Sequence, residues 1–150
     1  MNIKLLFIVI LAFLFTSCKK DTVNRSAKIT YIKATAWPGS DPNQLPWDAA
    51  SAPDIYFELL DANFQELINQ PFDDSVFVNA TGVVNRPIET PYRMPVTDAD
   101  YYIQLVDDDD TDADDSMGNV QFNLSDYPVN SAVIFKSSNG IDLEIGLVWE

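Results

Sequence analysis

The sequence predicts an all-β fold, an eight-stranded antiparallel β-sandwich, and three observations predict it. Short runs alternate apolar and polar residues with period two, as in "KITYIKATAW" (28–37) and "DIYFELLD" (54–61), the pattern of a half-buried strand. Proline and glycine punctuate the chain between such runs, and no stretch carries the apolar spacing of a helix. "SSNG" (137–140) lies between two alternating runs, and Asn-Gly is the strongest local signal for a hairpin turn.

The elements follow in chain order. Residues 1–18, "MNIKLLFIVILAFLFTSC", place one lysine before an unbroken apolar run and small residues after it, which is a secretory signal. Its end, "LFTSC", resembles a bacterial lipobox, with Thr16 and Ser17 before Cys18 and Phe15 where an aliphatic side chain is commoner. Cys18 is the only cysteine, so no intrachain disulfide is available and acylation is the expected use of its thiol. Residues 19–27 are polar and aperiodic and read as a tether. The domain then runs from 28 to 150, enough for one core.

In the first strand Ile29, Tyr31, Lys33 and Thr35 are expected on one face and Thr30, Ile32, Ala34 and Ala36 on the other. A Pro/Gly-rich loop follows, "PGSDPNQLPWDAASAP", with Trp37 and Trp47 at its flanks as expected caps on the core. "DIYFELLD" sets Ile55, Phe57 and Leu59 opposite Tyr56, Glu58 and Leu60. "FQELI" and "SVFV" are further short apolar runs, and "RPIETPYRMPV" is extended because its prolines remove donors. "YYIQLV" leads into an acidic run and "GNVQFNL" leads out of it; "AVIFK" and "IDLEIGLVW" close the chain as a hairpin, with Trp149 expected in the core.

Composition excludes several functions. The full chain has net charge −14, and cleavage before Cys18 removes Lys4 and no acid, giving −15, so the domain repels nucleic acid. There is no histidine, so neither a Ser-His-Asp nor a Cys-His system can be built, nor an ordinary zinc site. Carboxylate is abundant; it is a hard oxygen ligand, suited to calcium or magnesium.

Carboxylates concentrate in two loops. "DDDDTDADD" (107–115) holds seven aspartates in nine positions, and Asp48 and Asp54 stand six apart at the end of the first long loop. An EF-hand is excluded: counting from Asp107, the sixth residue is Asp112 where Gly is required and the twelfth is Gly118 where Glu is required. An isolated acidic run is usually a solvated face, but such a face needs neither fixed offsets from a glycine nor a second acidic pair in an earlier loop.

Together the two loops resemble those of the C2 domain, a calcium-dependent β-sandwich. Leu45, Pro46, Asp48 and Asp54 fall in the register of that family's first loop, with "PDIYFEL" after it. Asp107, Asp109, Asp115 and Gly118 match its third loop, Met117 fills the apolar slot before the glycine, and Asp112 falls where many members carry an extra ligand. Only one strand precedes the first loop, which resembles the permuted C2 topology, in which the last strand takes the place other members give to the first. The resemblance implies calcium held by Asp48, Asp54, Asp107, Asp109, Asp112 and Asp115, with Asp108, Asp110 and Asp114 as surplus charge.

Alternation gives an independent reason: Asp107 and Asp109 lean to one side of their strand, Asp115 returns to that side, and the Asp48–Asp54 loop forms the other wall. Without a cation, each close carboxylate pair would repel by roughly 1 to 4 kcal/mol. The expected protein is a non-enzymatic calcium-binding module, lipid-anchored at Cys18 in a bacterial envelope and binding phospholipid or another envelope component through calcium. The alternative is a metal-independent interaction module whose acidic end meets a basic partner. A two-carboxylate glycosidase fits least, because nothing in the sequence marks a raised-pKa acid among these aspartates.

Overall fold

The computed structural model describes residues 25–48, 51–67, 76–109 and 113–150. The signal segment, Cys18, Asp73, Asp74, Asp110 and Asp112 lie outside the described residues. Eight strands are described: β1 (Ser26–Ala36), β2 (Ile55–Leu60), β3 (Val84–Pro87), β4 (Arg93–Pro95), β5 (Tyr101–Asp107), β6 (Asp115–Phe122), β7 (Val133–Ser138) and β8 (Ile141–Trp149). A single turn of 3₁₀ helix, Leu124–Asp126, follows β6, with the Asn123 side chain accepting from the Ser125 amide.

The strands form two antiparallel sheets. One runs β3-β1-β8-β7, with β4 pairing β1 beyond the end of β3; the other runs β2-β5-β6. The last strand lies beside the first along its length, from Ala27↔Trp149 to Ala36↔Asp142. That adjacency is the permuted arrangement expected from a single strand preceding the first loop. Ile29, Ile32, Ile134, Leu143 and Ile145 from one sheet meet Phe57, Leu59, Ile103, Leu105, Val120 and Phe122 from the other, each buried and apolar. Full burial of such a side chain is worth about 1.5–3 kcal/mol.

β1 differs from simple alternation. Ile29 and Ile32, expected on opposite faces, are both buried, because the pairing with β8 slips between Ile29 and Tyr31 and makes Thr30 an extra residue. Such a β-bulge restores the apolar face after an odd step. The strand also starts two residues earlier than Lys28: Ser26 pairs with Pro95 and Ala27 with Met94 and Trp149, partners too distant in sequence for local pattern to reveal. Among the described residues, "FQELI" and "SVFV" contribute only isolated bridges, Leu60↔Glu66 and Ile55↔Phe77. "RPIETPYRMPV" divides into β3 and β4, each ending on a proline that cannot donate to a further ladder.

The closing hairpin forms as its turn residues require. Asn139 and Gly140 have φ of 51° and 84°, the two positive values of a type I′ turn. Trp149 packs against the core with its ring Nε1 donating to the Ser131 carbonyl at 2.7 Å.

Candidate metal centre

The described acids of interest, Asp48, Asp54, Asp107, Asp109, Asp114 and Asp115, lie at one rim of the sandwich, where β1 ends, β2 begins, β5 ends and β6 begins. In β5, Ile103, Leu105 and Asp107 share the inward face, so the pattern that supplies two core side chains delivers a carboxylate at the third step. Asp107 is fully buried, at 0% exposure. Its Oδ1 accepts from the Asp54 amide at 2.8 Å, and its Oδ2 has no hydrogen-bond partner among the described residues.

Asp54 is tied in from both sides. Its carbonyl accepts from the Asp108 amide at 2.8 Å, and its carboxylate accepts from the Asn79 amide. The segment carrying Asn79 is clamped to the start of β2 by paired bonds between Phe77 and Ile55 and by Ala80 N donating to Pro53 O at 2.7 Å. Asn79 has φ of 52°, a left-handed conformation that asparagine tolerates better than most residues.

The first loop brings Asp48 to the same place. Trp47 Nε1 donates to the Pro38 carbonyl at 2.7 Å, closing the loop on itself, and both Trp37 and Trp47 pack against the core as caps. Asp41 organises the loop's outer turn, accepting from the amides of Asn43 and Leu45 at 2.9 and 2.7 Å. Those bonds, the one from Leu45 first, hold its carboxyl below the usual carboxylate range. Asp61, Asn63 and Gln65 repeat the device after β2.

The outcome is a cluster: carboxylate oxygens of Asp48, Asp107 and Asp109 all lie within 4.8 Å of one another. Asp107 responds most. Burial raises its pKa, the Asp54 amide opposes this, and the charges of Asp48, Asp109 and Asp54 add to the rise, leaving it at about 6. Asp54 joins through its main chain and the contact with Asn79, with its carboxylate outside the cluster of three. Asp115 stands directly opposite Asp107 in the β5–β6 register but is exposed and also outside that cluster.

The remaining acids separate by position. Asp114, taken from sequence as surplus charge, accepts at Oδ2 from the Tyr56 hydroxyl at 2.7 Å and at Oδ1 from the Asp109 amide at 3.4 Å. Sequence reasoning passed over Tyr56, Asn79 and Asp41; only the Asp-x-Asn spacing at 41–43 carried a local sign, that of a side-chain-capped turn. Gly118 has φ of 126° at the point where the β5–β6 pairing slips, so the glycine matched from sequence is the residue that permits the bulge. The rim also presents Leu45 and Val78, exposed apolar side chains.

Oxygens of three carboxylates from two segments, one of them the buried Asp107 whose Oδ2 has no partner among the described residues, form a set of hard donors with no nitrogen or sulfur among them. That chemistry fits calcium, which takes six to eight oxygens at flexible geometry.

No family model and no curated protein matches this chain. Solved structures do. A human group IVD cytosolic phospholipase A2 structure aligns at TM-score 0.60 and 14% identity over 85% of this chain and 16% of the phospholipase. A structure described as a C2 domain aligns at TM-score 0.55 and 13% identity over 84% of this chain and 98% of that one. The same phospholipase with methyl γ-linolenyl fluorophosphonate inhibitor and terbium chloride aligns at 0.52 and 14% identity, over 85% of this chain and 17% of the enzyme. The fold is therefore C2-like, an eight-stranded antiparallel sandwich covering nearly the whole of an independent C2 domain and a small part of a large enzyme.

Proposed function

We propose that this protein is a non-enzymatic, calcium-binding C2-like module held on a bacterial envelope membrane by lipid on Cys18. Its domain follows the signal segment 1–18 and the short tether, and calcium lets the rim bind anionic oxygen on phospholipid or another envelope component. One observation carries the reading: a fully buried carboxylate, Asp107, with an unpartnered oxygen beside the oxygens of Asp48 and Asp109. A bound calcium would supply positive charge that offsets their repulsion and coordination positions that an external phosphate or carboxylate can fill.

The chain's own residues supply the rest. Asp48, Asp107 and Asp109 hold the ion; Asp115, opposite Asp107, swings in from its exposed position. Asp54 fixes the distance between the two loops through its main chain and can turn its carboxylate inward. Asp112, outside the described residues, is the further ligand that the sequence resemblance implies. Asp107 has to give up its proton for the ion, so binding weakens as pH falls below about 6.

The test is calorimetric titration of the full chain in detergent with calcium. Wild type gives binding heat and a rise in Tm, and a chain carrying Asp107→Asn and Asp109→Asn gives neither. Terbium serves as a luminescent substitute, because it also prefers oxygen and Trp47 in the first loop can sensitise it. If wild type gives no heat, and partner capture is weakened by salt yet unaffected by chelator, the acidic rim is a metal-independent protein-binding surface instead.

A further inference from the structure

Two adjacent aspartates, Asp114 and Asp115, begin the return limb of the third loop, and they are chemically identical. A one-residue slip would exchange them between the inner and outer faces. Something in the fold has to distinguish them.

We propose that Tyr56 sets this phase: by holding Asp114 on the outer face of the three-stranded sheet it turns Asp115 toward Asp107, so Tyr56 is a positioning residue for the cation site. The proposal rests on the calcium reading above and deepens it. Tyr56 alternates with the buried Ile55 and Phe57, so it stands on the outer face of β2. It pairs with Val106 of β5, which pairs with Ser116 of β6, two residues beyond Asp114 and on the same face. Neighbouring strands lie about 4.8 Å apart, so reaching β6 from β2 means crossing β5, which needs a long side chain ending in a donor. The tyrosine hydroxyl makes that reach and donates to Asp114 Oδ2 at 2.7 Å.

Asp114 passes the constraint on through its Oδ1, which accepts from the Asp109 amide at 3.4 Å. One carboxylate thereby ties the outgoing limb of the loop to the returning limb. Burial, and then the Asp114 bond, raise the phenol's pKa, so its O–H stays a donor throughout the physiological range. The slip that the latch opposes is available: the β5–β6 pairing already shifts between Leu105 and Val106, at Met117 and Gly118. Met117 is buried and favours the observed phase by packing, while Tyr56 acts directly on the pair of acids.

The experiment uses the full chain and a set of substitutions read by calcium calorimetry. Tyr56→Phe, which keeps the ring and removes the donor, is expected to weaken calcium binding at least fivefold, and Asp114→Ala by a similar factor. The two together are expected to do no more than Asp114→Ala alone, because that substitution already removes the hydroxyl's acceptor. Asp114→Asn keeps one acceptor, for the hydroxyl, and gives up the one for the Asp109 amide, so it should lose less than Asp114→Ala, while Asp115→Asn loses tenfold or more. In the Tyr56→Phe background the effects of Asp114→Asn and Asp115→Asn should converge, a change that a general loss of stability would not produce. Wild-type affinity in Tyr56→Phe, or losses for Tyr56→Phe and Asp114→Ala that multiply, would overturn the latch. Amide exchange at residues 114–116 in chelator supplies a readout that needs no metal: Tyr56→Phe should speed it tenfold, and unchanged exchange overturns the proposal. Should wild type bind no calcium, the metal reading fails by itself and the exchange result still decides whether the latch exists.

Discussion

Asp107 carries its charge at a place from which the fold has removed water, and this sets how the protein responds to pH. Its pKa is raised to about 6, by burial first and then by the charges of Asp48, Asp109 and Asp54. The unfolded chain releases this proton near the ordinary aspartate value, so between about pH 4 and pH 6 the folded state holds more protons than the unfolded one. Stability of the calcium-free protein therefore falls as pH rises through that window and levels off above it. Asp41, Asp61, Glu144 and Glu150 have lowered values and act in the opposite sense, losing their contribution only as pH drops through the acid range. In chelator, Tm is expected to peak near pH 5 and to decline toward pH 7. Asp107→Asn keeps an acceptor for the Asp54 amide and cannot ionise; it should flatten the decline and raise Tm at pH 7. Thermal melts at half-unit pH steps decide it, and a wild-type profile that rises from pH 5 to pH 7 in chelator would refute the buried-charge account.

At the scale of elements, what the sequence made legible was whatever alternation alone decides. Asp107 and Asp109 could be assigned to one side because period two is fixed by backbone geometry, and the Asn-Gly turn could be placed because its φ values exclude most other pairs. Illegible were choices made by a distant partner. The bulge at Thr30 depends on β8, the early start of β1 depends on β4 and β8, and the distinction between Asp114 and Asp115 depends on a tyrosine two strands away. Gly146 is another case. A methyl group there would run into the Tyr31 ring and the Thr30 hydroxyl, because the bulge lays that ring over the β8 backbone. The Tyr31 hydroxyl continues to Glu144 Oε1 at 2.7 Å, and Lys33 reaches Glu144 Oε2 at 2.9 Å. Gly146→Ala should accordingly destabilise by about 1–3 kcal/mol, the usual effect of forcing a methyl into a filled site. Most of that loss should be recovered in Tyr31→Ala, Gly146→Ala, which urea melts can measure; a Gly146→Ala chain as stable as wild type would mean the ring is free to leave.

Across the whole molecule the two ends of β1 face different surroundings. Its first residue, Ser26, takes a bond from Arg93 Nε at 2.7 Å, and Lys28 and Arg93 both engage Glu150, so cationic side chains gather where the domain starts. Its last residues deliver the loop carrying Asp48, and the acidic rim stands at that opposite end. Eleven strand residues span about 33 Å, while the stretch from Cys18 to Ser26 reaches at most roughly 28 Å even fully extended. A chain anchored at Cys18 thus has the start of β1 as its nearest point to the bilayer, with the rim at the far end of that strand. Anionic headgroups favour that polarity, because the rim concentrates the aspartates they repel. The ligand of the rim is accordingly expected on something facing the anchored membrane, with Leu45 and Val78 adding apolar contact there. If Cys18 is acylated, an introduced cysteine is the only free thiol, so a fluorophore can be placed at Asp98→Cys, near the anchored end, or at Val78→Cys, on the rim. In vesicles bearing nitroxide-labelled headgroups, the probe at 98 should be strongly quenched and the probe at 78 weakly, with calcium or without. Strong quenching at 78 on adding calcium would instead mean that the domain tips over and docks its rim on the bilayer that holds it.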